Sequence, residues 1–234
     1  MNAAPQQLTL GISLGSDLDF RLFVPGANEA VVQALRDIAH TPQFIWLWSD
    51  ASAGRTHLLH AACRDAADNG RRTGLLPLGE ATRWRPGVLE GWDALDVVAL
   101  DDIDAVAGKR DWEQALFSLY NGLRDAGRSL LVTARRPPAG LAFALADLKS
   151  RCGAMLVYQL HGLDDEGRLD ALTRKAKARG MELPEETGRY LLARVSRDMR
   201  DLAALLDRLD RASLTHQRRL TVPFVRDQLD AVSR

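Results

Sequence analysis

Residues 49–56 read Ser49-Asp50-Ala51-Ser52-Ala53-Gly54-Arg55-Thr56. They lie between a short apolar run, Phe44-Ile45-Trp46-Leu47-Trp48, and a helical pattern from Thr56 to about Asn69 that Gly70 ends. A strand that turns directly into a helix leaves the helix's first N–H groups and the positive end of its dipole at the turn, where an anion binds. In length and context the octapeptide follows the phosphate-loop pattern Gly-x4-Gly-Lys-Ser/Thr. Gly54 lets the backbone approach phosphate oxygens, and Thr56 stands where a hydroxyl ligates Mg²⁺. Two positions depart from the pattern: Ser49 replaces the first glycine and Arg55 replaces the lysine. Arginine keeps the charge but is bulkier and forked, so it need not reach the same oxygens. Taken alone, the motif is equally consistent with an ordinary strand-to-helix turn.

A second motif favours the phosphate-loop reading. Val97-Val98-Ala99-Leu100-Asp101-Asp102 is an apolar strand ending in two carboxylates, about 45 residues beyond the loop. Asp101 is placed to hold Mg²⁺, directly or through water. Asp102 occupies the position where an active ATPase usually carries a glutamate that orients water. It is one methylene shorter, so efficient hydrolysis by this chain is not expected. Thr133 ends the next buried strand, Ser129 to Thr133; its hydroxyl could sense an outer phosphate or serve turn chemistry.

Around these motifs, helical patterns at 29–39, 56–69 and 111–126 alternate with strand candidates at 44–48, 73–78, 95–100 and 129–133. That alternation predicts a parallel sheet with helices on both faces. Asn28 is expected to cap the first helix. After Leu163 the strand signals fade into four helical patterns, opening near Asp164, Pro184, Arg197 and Thr221. The expected organisation is a leader at 1–15, an α/β base at 16–162 and a helical lid at 163–234.

Composition narrows the classes. Lys plus Arg and Asp plus Glu both number 31, whereas a protein held to DNA by phosphate contacts usually carries a basic excess. Cys63 and Cys152 are too few and too far apart for a disulfide framework or a zinc site. His57 and His60 offer a metal two ligands on one helix, but no third suggests itself. The Trp46 and Trp48 pair is most simply core packing. No signal-peptide pattern opens the sequence, and no apolar run approaches the roughly 18 residues that cross a bilayer. A cytoplasmic address without membrane attachment is expected.

Taken together, several strings resemble the DnaA branch of the AAA+ ATPases, and most of all the DnaA regulatory inactivators, the Hda family. They are Ala53-Gly54-Arg55-Thr56-His57-Leu58-Leu59-His60-Ala61-Ala62-Cys63, Arg136-Pro137-Pro138, Leu183-Pro184-Glu185, Leu209-Asp210-Arg211-Ala212-Ser213 and Leu220-Thr221-Val222-Pro223-Phe224-Val225. The resemblance spans essentially the whole chain and includes the arginine in place of the loop lysine. It implies an AAA+ fold and an adenine nucleotide, ADP more than ATP, with Mg²⁺. By the same resemblance the ligand would meet Val24, in a segment Phe23-Val24-Pro25-Gly26 lining the adenine pocket. It would also meet Ser52, Ala53, Gly54, Arg55, Thr56, His57, Asp101, Asp102 and Thr133. Arg200 resembles the arginine that reaches from the lid to phosphates of the same chain's nucleotide. Arg151 resembles the arginine finger, the catalytic group presented to a neighbour's ATP. Gln7-Leu8-Thr9-Leu10 resembles the peptide that docks on the DNA polymerase III β sliding clamp, although Gly11 departs from many such ligands and an edge strand explains the alternation equally well.

The function implied is regulatory. The protein would bind nucleotide and clamp, touch DNA only through the clamp, and stimulate hydrolysis of ATP bound to the initiator DnaA, so inhibiting re-initiation of replication. Its own ATPase would be weak or absent, and the resemblance leaves room for self-association. The alternatives are an autonomous AAA+ ATPase of helicase-loader or DnaA-like type, and a passive clamp adaptor. The initiator itself would need a helix-turn-helix domain beyond the lid, where the sequence ends at Arg234.

Overall fold

Val97 to Asp101 is buried at every position, and so is Ser129 to Ala134, as strands covered on both faces must be. The protein, seen in a computed structural model, is described at residues 18–195, 198–216 and 219–230, without the side chains of 200, 214–216 and 230. Strands β1 (Phe44–Trp48), β2 (Thr73–Pro77), β3 (Val97–Asp101), β4 (Ser129–Ala134) and β5 (Leu156–Gln159) form one sheet. All pairs are parallel, and the order is β2-β3-β4-β1-β5.

Period-two alternation divides the core into two layers. Ile45, Leu47, Val97, Ala99 and Leu131 meet helices α1 (Glu29–Asp37) and α2 (Arg55–Asp68) on one face. Trp46, Val98, Leu100, Leu130 and Val132 meet α3 (Arg110–Asp125) and α4 (Ala146–Gly153) on the other. Trp46 is fully buried, and its indole N–H donates to the Arg136 carbonyl at 3.1 Å. Strands β1 to β4 and the expected helices agree with the sequence reading to within one or two residues, the ordinary uncertainty of an element's end; the reading sets no bounds for β5. Helix α4 went unread, as did the 3-10 turns at Leu78–Arg83, Pro86–Leu89 and Trp92–Ala94. Pro77, Pro86 and the glycines at 79, 87 and 91 keep this stretch from forming a longer helix.

Asn28 requires a correction. Its side chain makes no capping bond to α1. Its amide donates to the carbonyls of Pro25 and His161 at 3.0 and 2.9 Å and accepts from the His161 N–H at 2.8 Å. Asn28 therefore clips the segment before α1 to the exit of β5, a contact 133 residues away that local pattern cannot reveal.

Helices α5 (Asp165–Ala178), α6 (Glu185–Arg194), α7 (Met199–His216) and α8 (Val222–Asp230) form the helical lid. Their shared core holds Leu172, Ala176, Leu191, Leu202, Leu206 and Phe224. Asp164 caps α5 by accepting the Gly167 N–H at 2.8 Å. Gly188 brings α6 against α5, since a Cβ there would lie 2.4 Å from Leu169 Cδ1. Among the described residues no helix is long and apolar enough to cross a membrane.

One buried carboxylate fixes the start of α4. Glu113, fully inaccessible, accepts the Gly108, Ala144 and Leu145 N–H groups at 2.6, 3.1 and 2.6 Å. Replacing Glu113 by alanine leaves these donors without an acceptor, and unmade bonds of this kind cost roughly 1–3 kcal/mol each. The variant is expected to lose about 3 kcal/mol, read as a lower urea midpoint; an unchanged midpoint would show that water replaces the carboxylate.

Candidate nucleotide-binding site

The sheet order places β4 between β3 and β1, so the C-terminal ends of these three strands converge. In an open parallel sheet, ligands bind beyond these strand ends. The loop 49–54 leaves β1, Asp101 ends β3, and Thr133 lies near the end of β4, paired with Leu47 of β1. The Thr133 hydroxyl donates to Asp101 Oδ1 at 2.5 Å and accepts the Asp102 N–H at 2.8 Å. From the loop side, Thr56 Oγ1 donates to Asp101 Oδ2 at 2.8 Å. Thr133 is fully buried and does not line the cleft. Its role in this geometry is to orient Asp101.

Burial raises the Asp101 pKa above the ordinary carboxylate value; the two threonine hydroxyls oppose the rise, the Asp102 charge adds to it and Arg55 counters it. A divalent cation would reverse that balance. Thr56 and Asp101 offer hard oxygen ligands of the kind Mg²⁺ takes. Among the described residues, no cluster of three His, Cys, Asp or Glu side chains is placed to hold a metal by itself.

The two departures from the loop pattern turn out to be one interaction. Arg55 is 6% exposed and folds back into the loop. Its Nη1 donates to the Ser49 carbonyl, to Ser49 Oγ at 2.7 Å and, more distantly, to the Ala51 carbonyl at 3.4 Å. Its Nη2 lies 3.3 Å from Asp102 Oδ1. Ser49 Oγ also donates to the Ala51 carbonyl at 2.6 Å. A glycine at 49 would offer the guanidinium no hydroxyl. Asp102, at φ 54, is the one non-glycine residue in the left-handed region among the described residues, and its carboxylate is turned toward Arg55.

The cleft, about 610 Å³, also takes its walls from the segment before α1 and from the lid. Leu22, Phe23, Val24, Leu163, Ala171, Met199 and Ala203 give it apolar surface, while Arg55, Glu80, Asp101 and Asp102 give it polar groups. Gly54, at φ 88, carries the edge of the Phe23 ring, whose Cε2 would stand 2.8 Å from a Cβ. His57 Nε2 lies 2.8 Å from the Asp19 carbonyl, which can only accept, so Nε2 carries the proton. Burial lowers the His57 pKa to about 4, the Asp19 carbonyl opposing the shift and the charge of Lys175 assisting it.

A nucleotide fits these residues. The volume lies in the range of small-molecule clefts, a helix N-terminus opens onto it, and the buried Arg55 Nε–H has no acceptor among the described residues. Val24, Ser52, Ala53, Gly54, Arg55, Thr56, His57, Asp101 and Asp102 all line the cleft. Arg200 falls on α7, with its side chain outside the described residues, between cleft-lining Met199 and Ala203. Gln7, Leu8, Thr9 and Leu10 lie outside the described residues. Arg151, in the last turn of α4, does not line the cleft. The sequence reading missed Lys175 and Asn28, because contacts between distant segments leave no local signal.

Because His57 is neutral when folded and its pKa is depressed, its contribution to stability is complete above about pH 6.5 and is lost as pH falls toward about 4. A His57→Gln variant should show a flatter stability profile across that window in denaturant titrations. A profile as steep as the parent's would assign the acid sensitivity elsewhere.

Residues 165–229 match the family model of the Hda lid domain, and residues 88–159 match that of the bacterial DnaA ATPase domain. The second match includes Asp101, Thr133 and Arg151. Among solved structures, the chain is similar to domain III of the Thermotoga maritima replication initiation protein DnaA. That match has 24% identity, covers 90% of this chain and 94% of that one, and has a TM-score of 0.75. It is also similar to AMPPCP-bound DnaA from Aquifex aeolicus, at 24% identity over 84% of this chain and 66% of that one, TM-score 0.66. The Thermotoga maritima RuvB Holliday junction branch migration motor matches at 16% identity over 86% and 66%, TM-score 0.63. The chain thus spans just under two thirds of the last two structures, and likeness at these identities fixes the fold alone.

Proposed function

The chain belongs to the DnaA-related AAA+ proteins and carries a lid of the Hda kind, and from that premise we propose that it regulates a partner's nucleotide hydrolysis. The observation that carries this reading is the contrast between two arginines. Arg55 is buried and committed to Ser49 and Asp102. Arg151 is half-buried, away from the chain's own cleft, and makes no ion pair or side-chain hydrogen bond among the described residues.

In this reading a base of residues 16–162 and a lid of 163–234 hold adenine nucleotide between them. Phe23 and Val24 supply the apolar wall for the base, and Gly54 and the start of α2 supply N–H groups for phosphate. Mg²⁺, when bound, would neutralise phosphate charge, with Thr56 and Asp101 as its protein ligands and Thr133 holding Asp101 in position. ADP is the expected ligand, because a third phosphate would add charge at the end lined by Glu80 and Asp102 while Arg55 is held in the loop. Arg200 would reach the phosphates from the lid. Asp102, tied to Arg55, is poorly placed to orient water, so turnover in this cleft would be slow or absent.

Arg151 then acts on another protein's ATP. A guanidinium placed at a transferring phosphoryl group stabilises the charge that develops there, worth roughly 10³ to 10⁵ in rate. The partner is DnaA, loses its ATP state and is restrained from re-initiating replication in the cytoplasm. Gln7 to Leu10 would tether the protein to the β sliding clamp and so, indirectly, to DNA; self-association would also be compatible.

ATP hydrolysis by DnaA, followed with this protein and clamp-loaded DNA, is expected to accelerate. Arg151→Ala should cut the acceleration at least roughly tenfold while nucleotide and clamp binding persist. Full acceleration by the variant would overturn the mechanism, and no acceleration by the parent would remove the function. The intact Thr56, Asp101 and Thr133 cluster favours a second reading, an autonomous ATPase, which appreciable turnover by the purified protein alone would support.

A further inference from the structure

Among the described residues two large apolar side chains are exposed, and they are neighbours: Leu156 at 50% and Val157 at 42%. Both lie on β5, which pairs with β1 on one side and forms an edge of the sheet. Leu156 stands in register with Ile45 and Val157 with Trp46, so by the period of a strand they emerge on opposite faces. A helix docked on the sheet would cover one of them, whereas an element laid along the edge reaches both. The backbone points the same way. The Leu160 N–H donates to the Trp48 carbonyl at 2.8 Å, and alternate residues of a strand turn their polar groups to alternate sides. Val157 and Gln159 therefore turn theirs away from β1. An apolar edge with outward N–H and C=O groups is a template for another strand.

The chain itself supplies an occupant. Residues 1–17 lie outside the described residues, and within them Leu8-Thr9-Leu10-Gly11-Ile12-Ser13-Leu14 alternates apolar with small or hydroxyl-bearing residues. The stretch carries neither charge nor proline, so every residue can join a ladder of hydrogen bonds. Asn28 clips the segment before α1 to His161, just beyond the end of β5. Leu18, where the described chain begins, lines the cleft together with His161. The leader thus departs from the C-terminal end of β5. At a rise of roughly 3.3 Å per residue, residues 15–17 bridge about 10 Å, two strand spacings, and residues 8–14 span about 23 Å. That exceeds the length of β5, which has four residues. A second copy is a poorer fit. Two β5 edges brought together would bury little besides their own Leu156 and Val157, far below the roughly 1,000 Å² that a stable interface needs.

We propose that residues 8–14 add to the sheet as a sixth strand on the free edge of β5. Running back from Leu18 along that edge, the leader lies parallel to β5 and covers Leu156 and Val157. Gln7 to Leu10 is also the stretch read above as the clamp peptide, so a paired leader is withheld from the clamp. That consequence rests on the clamp reading; the strand pairing does not.

Residue-resolved amide hydrogen exchange on the full chain tests the pairing. The Val157 and Gln159 amides should exchange slowly in the parent. Leu10→Asp combined with Ile12→Asp, both in the leader, should speed the two amides roughly tenfold or more. The Leu131 amide, at the centre of the sheet, serves as the control and should not change. Val157 and Gln159 amides that exchange at unprotected rates in the parent would overturn the proposal. Protection that survives the double substitution would overturn it as well, since the leader would not be its source. Protection that rises with protein concentration would place a second copy on the edge, and the proposal fails. Purified sliding clamp, at a concentration where it co-elutes with the protein, should release the same two amides. Bound clamp with both amides still protected would refute the competition. A clamp that does not bind removes the clamp reading, and the leader substitutions still decide the pairing.

Discussion

A guanidinium buried inside a phosphate loop is the constraint around which this site is organised. A buried charge is tolerated only when it is paired and hydrogen-bonded, and Arg55 meets that requirement with the Ser49 carbonyl and hydroxyl and the Asp102 carboxylate. The consequences spread outward. Asp102 is drawn toward the loop at a left-handed backbone position, its N–H bonds to Thr133, and Thr133 in turn holds Asp101 against Thr56. Loop, β3 and β4 are therefore joined through one polar network at the strand ends.

That network separates two properties that usually go together in phosphate loops. The helix N-terminus, Gly54 and the Thr56–Asp101 pair retain what anion and Mg²⁺ binding require. The residues that would act on an outer phosphate and on water, at positions 55 and 102, are bonded to each other. In the function proposed above, the cleft would hold its ligand between sheet and lid without turning it over.

Within the base, distant segments are held together by contacts that are neither local nor apolar. Asn28 ties the segment before α1 to the exit of β5, and His57 ties α2 to Asp19. Asn28 and His57 both line the cleft, and the His57 ring packs against Phe23, so part of the cleft wall rests on hydrogen bonds made between distant segments. Glu113 does comparable work under α4, fixing the helix that carries Arg151.

The sequence by itself determined the layered fold and most of the cleft. Short apolar runs marked β1 to β4, helical periodicity marked α1 to α3 and the lid, and the order of the two motifs along the chain marked the ends of β1 and β3 as the site. These are local signals, set by backbone geometry and side-chain period. Only the tertiary structure decided what Ser49 and Arg55 mean. Read along the chain they are two defects in a motif; in space the serine hydroxyl and carbonyl hold the guanidinium, and Asp102, 47 residues away, supplies the opposite charge. It also turned Asn28 from a helix cap into a long-range clip and brought Lys175 into the cleft. Such pairings depend on how strands are ordered in the sheet and where the lid packs, and no period in the sequence encodes either.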